Sequence, residues 1–244
     1  MLARDLIQTL APLASPQHAA RFATFFKTGP GEYAHGDEFL GIPVPTQRKL
    51  AARFRAMPLG EILLLLDSPV HEHRMMALLL WIEQFQSGSP ALRESIANAY
   101  VRALPRVNNW DLVDLSAPAL LGAFLREQQR PIPQELIASP LLWERRVAMV
   151  ATHAWVRNGD AHEALRVAEA LIPDPHDLIQ KAVGWTLREV GKHVSPDLLR
   201  AFLESHAARM PRTALRVAIE HFPAEERLAW RSLRTAPPPR RPLV

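Results

Sequence analysis

The 244-residue chain contains no cysteine, which removes disulfides, thiolate nucleophiles and cysteine-ligated metals from consideration. Lysine is scarce: of 29 basic residues only Lys27, Lys49, Lys181 and Lys192 are lysine, and the rest are arginine. No apolar run reaches the roughly 18–20 residues that a membrane span needs. The first ten residues carry Asp5 and lack the apolar stretch of a secretory signal. A cytoplasmic protein with no membrane association is therefore expected. Alternating apolar and polar residues are also missing, so no strand is expected. No Gly-rich phosphate loop and no Ser-His-Asp arrangement stands out. His71 and His73, the close pair among ten histidines, fall on different faces of a helix. Neither a metal site nor a cofactor is expected from such a set.

What is present reads as helix almost throughout, with apolar residues at three- and four-residue steps and Leu and Ala dominating. The 22 prolines act as punctuation. Pro69, Pro105, Pro140, Pro175 and Pro211 are separated by 36, 35, 35 and 36 residues. Ser68-Pro69, Ser139-Pro140, Asp174-Pro175 and Met210-Pro211 each precede a helical pattern, and Ser or Asp before Pro reads as an N-cap followed by a first-turn proline. A small residue follows at the same phase, at Ala77, Ala148, Ala182 and Ala218. A period near 35 with two helices per unit is the mark of an α-solenoid. Without the Trp, Gly, Tyr and Phe positions of the TPR consensus, the HEAT-like variety is expected.

The expected organisation is one all-α repeat domain over residues 1–234, followed by a Pro/Arg-rich tail over 235–244. Within the domain, residues 1–27 form a helical pair, 28–45 an ordered glycine-rich loop, and 46–234 the repeats. The loop reads chiefly as a structural connection, although Tyr33 and its glycines are placed to touch a ligand.

Helical-wheel phases separate core from surface. Around Asp177–Lys192 the buried stripe is Ile179, Val183, Thr186, Leu187 and Val190, with Lys181, Trp185, Arg188 and Lys192 opposite. A tryptophan among cations suits either a ligand face or packing against the next repeat. Near Asn108 and Asn109, Leu112 and Leu115 mark the buried side, while Trp110 and Asp114 share the other side one turn apart. In the third helix Trp143, Val147, Val150, Ala151 and Ala154 form the core stripe, with Arg145 pointing away and Arg146 at the flank. Arg74, Arg145 or Arg146, Lys181 and Arg216 recur five or six residues after their prolines. Such a row suits a phosphate backbone, and it equally suits local pairing with Glu72, Glu144, Asp177 and Glu220. The net charge of +4 permits an anionic partner and does not demand one.

Several ordered motifs carry a resemblance. They are the loop Lys27-Thr28-Gly29-Pro30-Gly31-Glu32-Tyr33, the turn Phe39-Leu40-Gly41-Ile42-Pro43-Val44-Pro45, and Asn109-Trp110-Asp111-Leu112-Val113-Asp114. Leu142-Trp143-Glu144-Arg145-Arg146 and the run from Ile179 to Glu189 complete the set. Over roughly residues 20 to 230 the chain resembles the alkylpurine DNA glycosylase D family of DNA alkylation repair enzymes. The resemblance implies a HEAT-like superhelix holding duplex DNA. It also implies hydrolysis of the N-glycosidic bond of N3- and N7-alkylated purines without a cofactor and with the base left largely stacked. It assigns Trp110, Asp114 and Trp185 to the lesion's deoxyribose and Arg146 to the neighbouring backbone. Arg145, Lys181, Arg188, Arg74 and Arg216 are further candidate nucleic-acid contacts. A monomer associated with the nucleoid is the expected working form. Two other readings of the same scaffold remain open: a non-catalytic binder of DNA structure and a peptide-binding HEAT scaffold.

The chemistry needs little equipment. Alkylation at N3 or N7 makes the purine cationic, so the base departs neutral and needs no general acid. The barrier lies in the oxocarbenium-like sugar. A carboxylate near C1′ stabilises that charge and orients water, which is the role the resemblance gives Asp114. Trp110 and Trp185 would exclude solvent and offer electron-rich faces to the developing cation.

Overall fold

The computed structural model describes residues 1–232; the Pro/Arg-rich tail lies outside the described residues. The fold is all-α, with no strand among the described residues, and its main helix pairings join helices one to three places apart in the chain. No helix there is long and apolar enough to cross a membrane.

The chain divides into two compact units, residues 1–124 and the part beginning at Leu125. The first holds α1 (Ala3–Leu10), α2 (Pro16–Phe25), α3 (Val44–Phe54), α4 (Leu59–Leu66), α5 (His71–Ser87), α6 (Pro90–Arg102) and α7 (Trp110–Ser116). A π-helical turn, Pro118–Gly122, follows α7. Helix α8 (Ala123–Glu127) spans the boundary. The second unit holds α9 (Gln134–Ile137), α10 (Leu142–Ala151), α11 (His153–Val156), α12 (His162–Leu171), α13 (Asp177–His193), α14 (Pro196–His206), α15 (Arg212–Ala218) and α16 (Ala224–Ser232).

Helix α5 is the centre of the first unit. It packs on α3, α4, α6 and α7, so every residue from His71 to Ile82 is buried, polar ones included. Helix α13 has the same standing in the second unit, against α10, α12, α14 and α15. The small residues fit this arrangement: Ala77, Ala148, Ala182 and Ala218 are all fully enclosed. Gly184 goes further, since a Cβ there would stand 2.5 Å from the Ala214 carbonyl oxygen. Only glycine lets α13 and α15 approach so closely.

The proline turns differ from the expected caps. Helices α5, α10, α13 and α15 start later, with Val70, Leu141, His176 and Pro211 at the N-cap. Ser68, Ser139 and Asp174 instead accept a hydrogen bond from the amide two residues on, that of Val70, Leu141 and His176. A short polar side chain before an extended proline closes this local turn more readily than it reaches a helix still two residues away. The residue six positions on then donates back to the turn carbonyls. Arg74 bonds to the oxygens of Ser68 and Pro69, Arg145 to those of Ser139 and Pro140, and Gln180 to those of Asp174 and Pro175. The N-cap and first-turn proline pairing occurs elsewhere, at Ser15-Pro16, Ser89-Pro90 and Ser195-Pro196.

The glycine-rich connection runs from Phe26 to Pro43, because α3 begins at Val44 and takes Pro45 into its first turn, where a missing amide costs nothing. Glu72, 1% exposed, holds the loop by accepting from the amides of Leu40, Gly41 and Ile42 at 2.9, 2.8 and 3.2 Å. Gly41 has φ +80°, and a side chain there would collide with the backbone of Ser15 and Ala19. The loop thus lies pressed between α2 and α5.

Candidate active site

Helix α7 carries Trp110 and Asp114. Asn109, fully buried, caps it by accepting from the Trp110 amide at 2.8 Å. The helix buries Leu112, Val113 and Ser116, so Val113 takes the place expected for Leu115, which is half-buried. The cause is that α7 packs against both α5 and the π-turn that follows it. Trp110 and Asp114 are half-buried on the remaining arc. Beneath them Ser116 donates to the Leu112 carbonyl at 2.6 Å and shares a hydrogen bond with the Tyr100 hydroxyl at 2.9 Å. Burial, with the Asp114 charge adding to it, pushes the Tyr100 phenol far above its usual range.

The Trp110 indole rests on aromatic rings supplied by the end of α2 and the loop that follows it. Phe26 lies parallel to it at 5.3 Å, and Phe25, 62% exposed, meets its edge at 5.8 Å. Phe26 stacks in turn on Phe39 at 5.2 Å, and both rings cover His71, at 5.2 and 4.6 Å. His71 is 3% exposed. Its Nδ1 faces Asp37 Oδ2 at 3.3 Å and its Nε2 faces Asp111 Oδ2 at 2.8 Å. Asp37 also pairs with Arg74 at 2.7 Å and accepts from Asn108 at 3.4 Å. Burial opposes charge on His71, but the hydrogen bonds from the ring to Asp111 and Asp37 outweigh it and raise its pKa to about 9. Burial likewise opposes ionisation of Asp37, and His71 and Arg74 overcome it to hold the carboxyl below its ordinary value.

In the second unit the five residues of the expected α13 stripe are all fully buried, and Trp185 is half-buried. Its ring meets His153 edge-on at 4.4 Å. His153 shares a hydrogen bond with the Thr186 hydroxyl at 2.9 Å. Burial, reinforced by the Arg157 charge, lowers its pKa to about 4, so this histidine is neutral where His71 is cationic. Arg146 is 5% exposed and donates to the Leu178 carbonyl at 2.6 Å, at the start of α13. In the third stripe Val147, Val150, Ala151 and Ala154 are buried, while Trp143, in the first turn of α10, is half-buried.

The remaining cations differ in setting. Arg74, 2% exposed, and Arg145, paired with Asp174 at 2.6 Å, hold their own repeat turns. Lys181 is exposed and pairs with Asp177 at 2.8 Å. Arg188 bonds to Glu189 and Glu220, and Arg216 is exposed. Among the described residues no group of three His, Asp or Glu side chains is arranged to hold a metal ion. The sequence did not single out Phe26, Phe39, His71, Asp37, Asp111 or His153 as site neighbours. Their traces were the Phe39-to-Pro45 turn, the Asn109-to-Asp114 motif that holds Asp111, and the aromatic pair Phe25-Phe26 beside the loop.

The family model described as DNA alkylation repair enzyme matches residues 6–222. A solved structure described as a predicted DNA alkylation repair enzyme from Enterococcus faecalis is similar over 86% of this chain and 97% of its own. Its TM-score is 0.67 and its identity 21%, a likeness of fold. No match was found among curated proteins.

Proposed function

Because the chain belongs to the DNA alkylation repair enzyme family, we propose that it is a monofunctional DNA glycosylase that hydrolyses the N-glycosidic bond of N3- and N7-alkylated purines in duplex DNA. The observation that carries this reading is the pairing of Trp110 and Asp114 on the half-buried arc of α7. An aromatic face and a carboxylate, one turn apart and backed by a closed core, suit a deoxyribose that becomes cationic as the base leaves.

In this reading Asp114 stabilises the oxocarbenium-like sugar and places the attacking water. Trp110 packs on the sugar and adds the attraction of its ring face for positive charge. The family resemblance gives Trp185 a similar packing role and Arg146 a contact with the adjoining backbone. Lys181, Arg188 and Arg216 are proposed as further phosphate contacts. The lesion base leaves as a neutral purine, so no proton donor and no metal enters the scheme. The base is proposed to leave from a largely stacked position, and the protein to act as a monomer in the nucleoid-bearing cytoplasm.

The test is release of free base. Methylated duplex DNA, incubated with the protein and a chelator, is expected to yield 7-methylguanine or 3-methyladenine by mass spectrometry, leaving abasic sites. A folded protein that binds this DNA yet releases neither base would sink the proposal and leave a non-catalytic DNA binder.

A further inference from the structure

The centre of the first unit is a closed set of four charges: His71 and Arg74 on α5, Asp37 in the loop, and Asp111 in the first turn of α7. His71 has a carboxylate oxygen against each ring nitrogen. A neutral imidazole carries one N–H and one lone pair, so it would turn a lone pair toward one of these carboxylates. The arrangement is satisfied only by the doubly protonated ring. Arg74, the second cation, pairs directly with Asp37 and feels the Asp111 charge only through space, and Glu72 beside it is spent on the loop amides. His71 is therefore the cation that meets Asp111 directly.

Asp111 lies between the two residues of the candidate site, one after Trp110 and three before Asp114. The same imidazole ring meets both Phe39 and Phe26, which stack on each other, and Phe26 is the ring on which Trp110 stacks. One side chain thus holds the start of α7 by a hydrogen bond and carries the indole through the stack.

We propose that His71, as an imidazolium, is a positioning residue for Trp110 and Asp114: its bridge between Asp37 and Asp111 sets the first turn of α7 and its ring supports the stack under the indole. The role rests on the reading of Trp110 and Asp114 as the glycosylase site. His71 touches no substrate and acts through Asp111 and Phe26. When its proton leaves, Asp37 and Asp111 face a ring that can satisfy only one of them, and the first turn of α7 loosens.

Two readouts test this on the full chain. In single-turnover release of 7-methylguanine between pH 6 and 10, corrected for the enzyme-free rate, the wild-type rate should fall through about pH 9. DNA affinity measured by fluorescence anisotropy should stay level. His71→Gln should lower the rate at pH 7 on the order of 10- to 100-fold with affinity kept within about threefold, and should lose the alkaline fall. Asp111→Asn removes charge but retains an acceptor, so the fall should move to lower pH. That variant also serves if His71→Gln does not fold. A residue that merely filled space would shift the melting temperature and leave the pH profile in place. The second readout needs no catalysis: NMR of the imidazole nitrogens should show His71 protonated at neutral pH. The Trp110 indole signal, identified by its loss in Trp110→Phe, should follow the His71 titration. If wild type releases no base, the glycosylase reading fails and this titration alone decides the positioning role. A His71 that titrates below pH 7, a Trp110 signal indifferent to it, or His71→Gln with wild-type rate and profile would overturn the proposal.

Discussion

His71 and Asp111, forty residues apart, meet at 2.8 Å between Nε2 and Oδ2 in a buried setting. This bond joins the central helix of the first unit to the helix that carries Trp110 and Asp114. Its strength follows from charge on both partners, so it is also the point at which pH acts on the first unit.

The raised pKa of His71 makes part of the stability depend on pH. The folded state keeps this proton up to about pH 9, while the unfolded chain loses it near 6.5. The contribution is therefore complete below pH 6.5 and is lost as pH rises through about 9. Over that window the stability gap between wild type and His71→Gln should narrow by about 3 kcal/mol in chemical denaturation. A gap that stays constant from pH 6 to 10 would contradict a charged His71.

His153 works in the opposite direction. It folds neutral, with a pKa near 4, so the unfolded chain takes up a proton first as pH falls below 6.5. Stability is complete above pH 6.5 and is lost as pH drops toward 4. His153→Gln, which retains a partner for Thr186, should show a shallower acid decline, by up to about 3 kcal/mol at pH 4. Equal slopes would mean that His153 does not resist protonation.

Asp114→Asn tests the charge alone, because the amide retains the shape. Base release should drop by about 100-fold or more while DNA affinity changes little. Excision at the wild-type rate would remove Asp114 from the mechanism.

Glu72 ties the loop to α5 through three amides. Removing the carboxylate in Glu72→Ala leaves those donors in a space closed to water. Its expected cost is about 3 kcal/mol in chemical denaturation, with faster hydrogen exchange at Leu40 to Ile42. Unchanged exchange there would show that other contacts hold the loop.

Arg145 and Lys181 should behave differently. Arg145→Ala breaks a half-buried ion pair and two bonds to the repeat turn, so it should lower thermal stability. Lys181→Ala removes an exposed charge and should instead weaken DNA binding while reducing its salt dependence by about one ion. If Lys181→Ala leaves the salt dependence unaltered, that cation is not a phosphate contact.

Much of the fold was legible because it is local. The 35-residue proline period, the enclosed alanines and the α13 stripe follow from helical spacing, and Ile179, Val183, Thr186, Leu187 and Val190 are all buried as the wheel places them. Trp110 and Asp114 likewise fall on one arc of α7 because i and i+4 do so in any helix. The proline turns were legible only in part, since a cap and a local side-chain turn use the same residue types. Ser15 and Ser68 differ in geometry alone.

The helices and the shared face of Trp110 and Asp114 follow from spacings of a few residues, and the period of the helices from the placing of the prolines. Tertiary structure decided what lies around them. It placed Phe26 against Trp110, gave His71 a carboxylate on each nitrogen, and set His153 between Trp185 and the Thr186 hydroxyl, where the Arg157 charge adds to its burial. The two histidines are the same residue type with the same intrinsic proton affinity. Burial disfavours charge on both, and only His71 has a carboxylate against each ring nitrogen to overcome it.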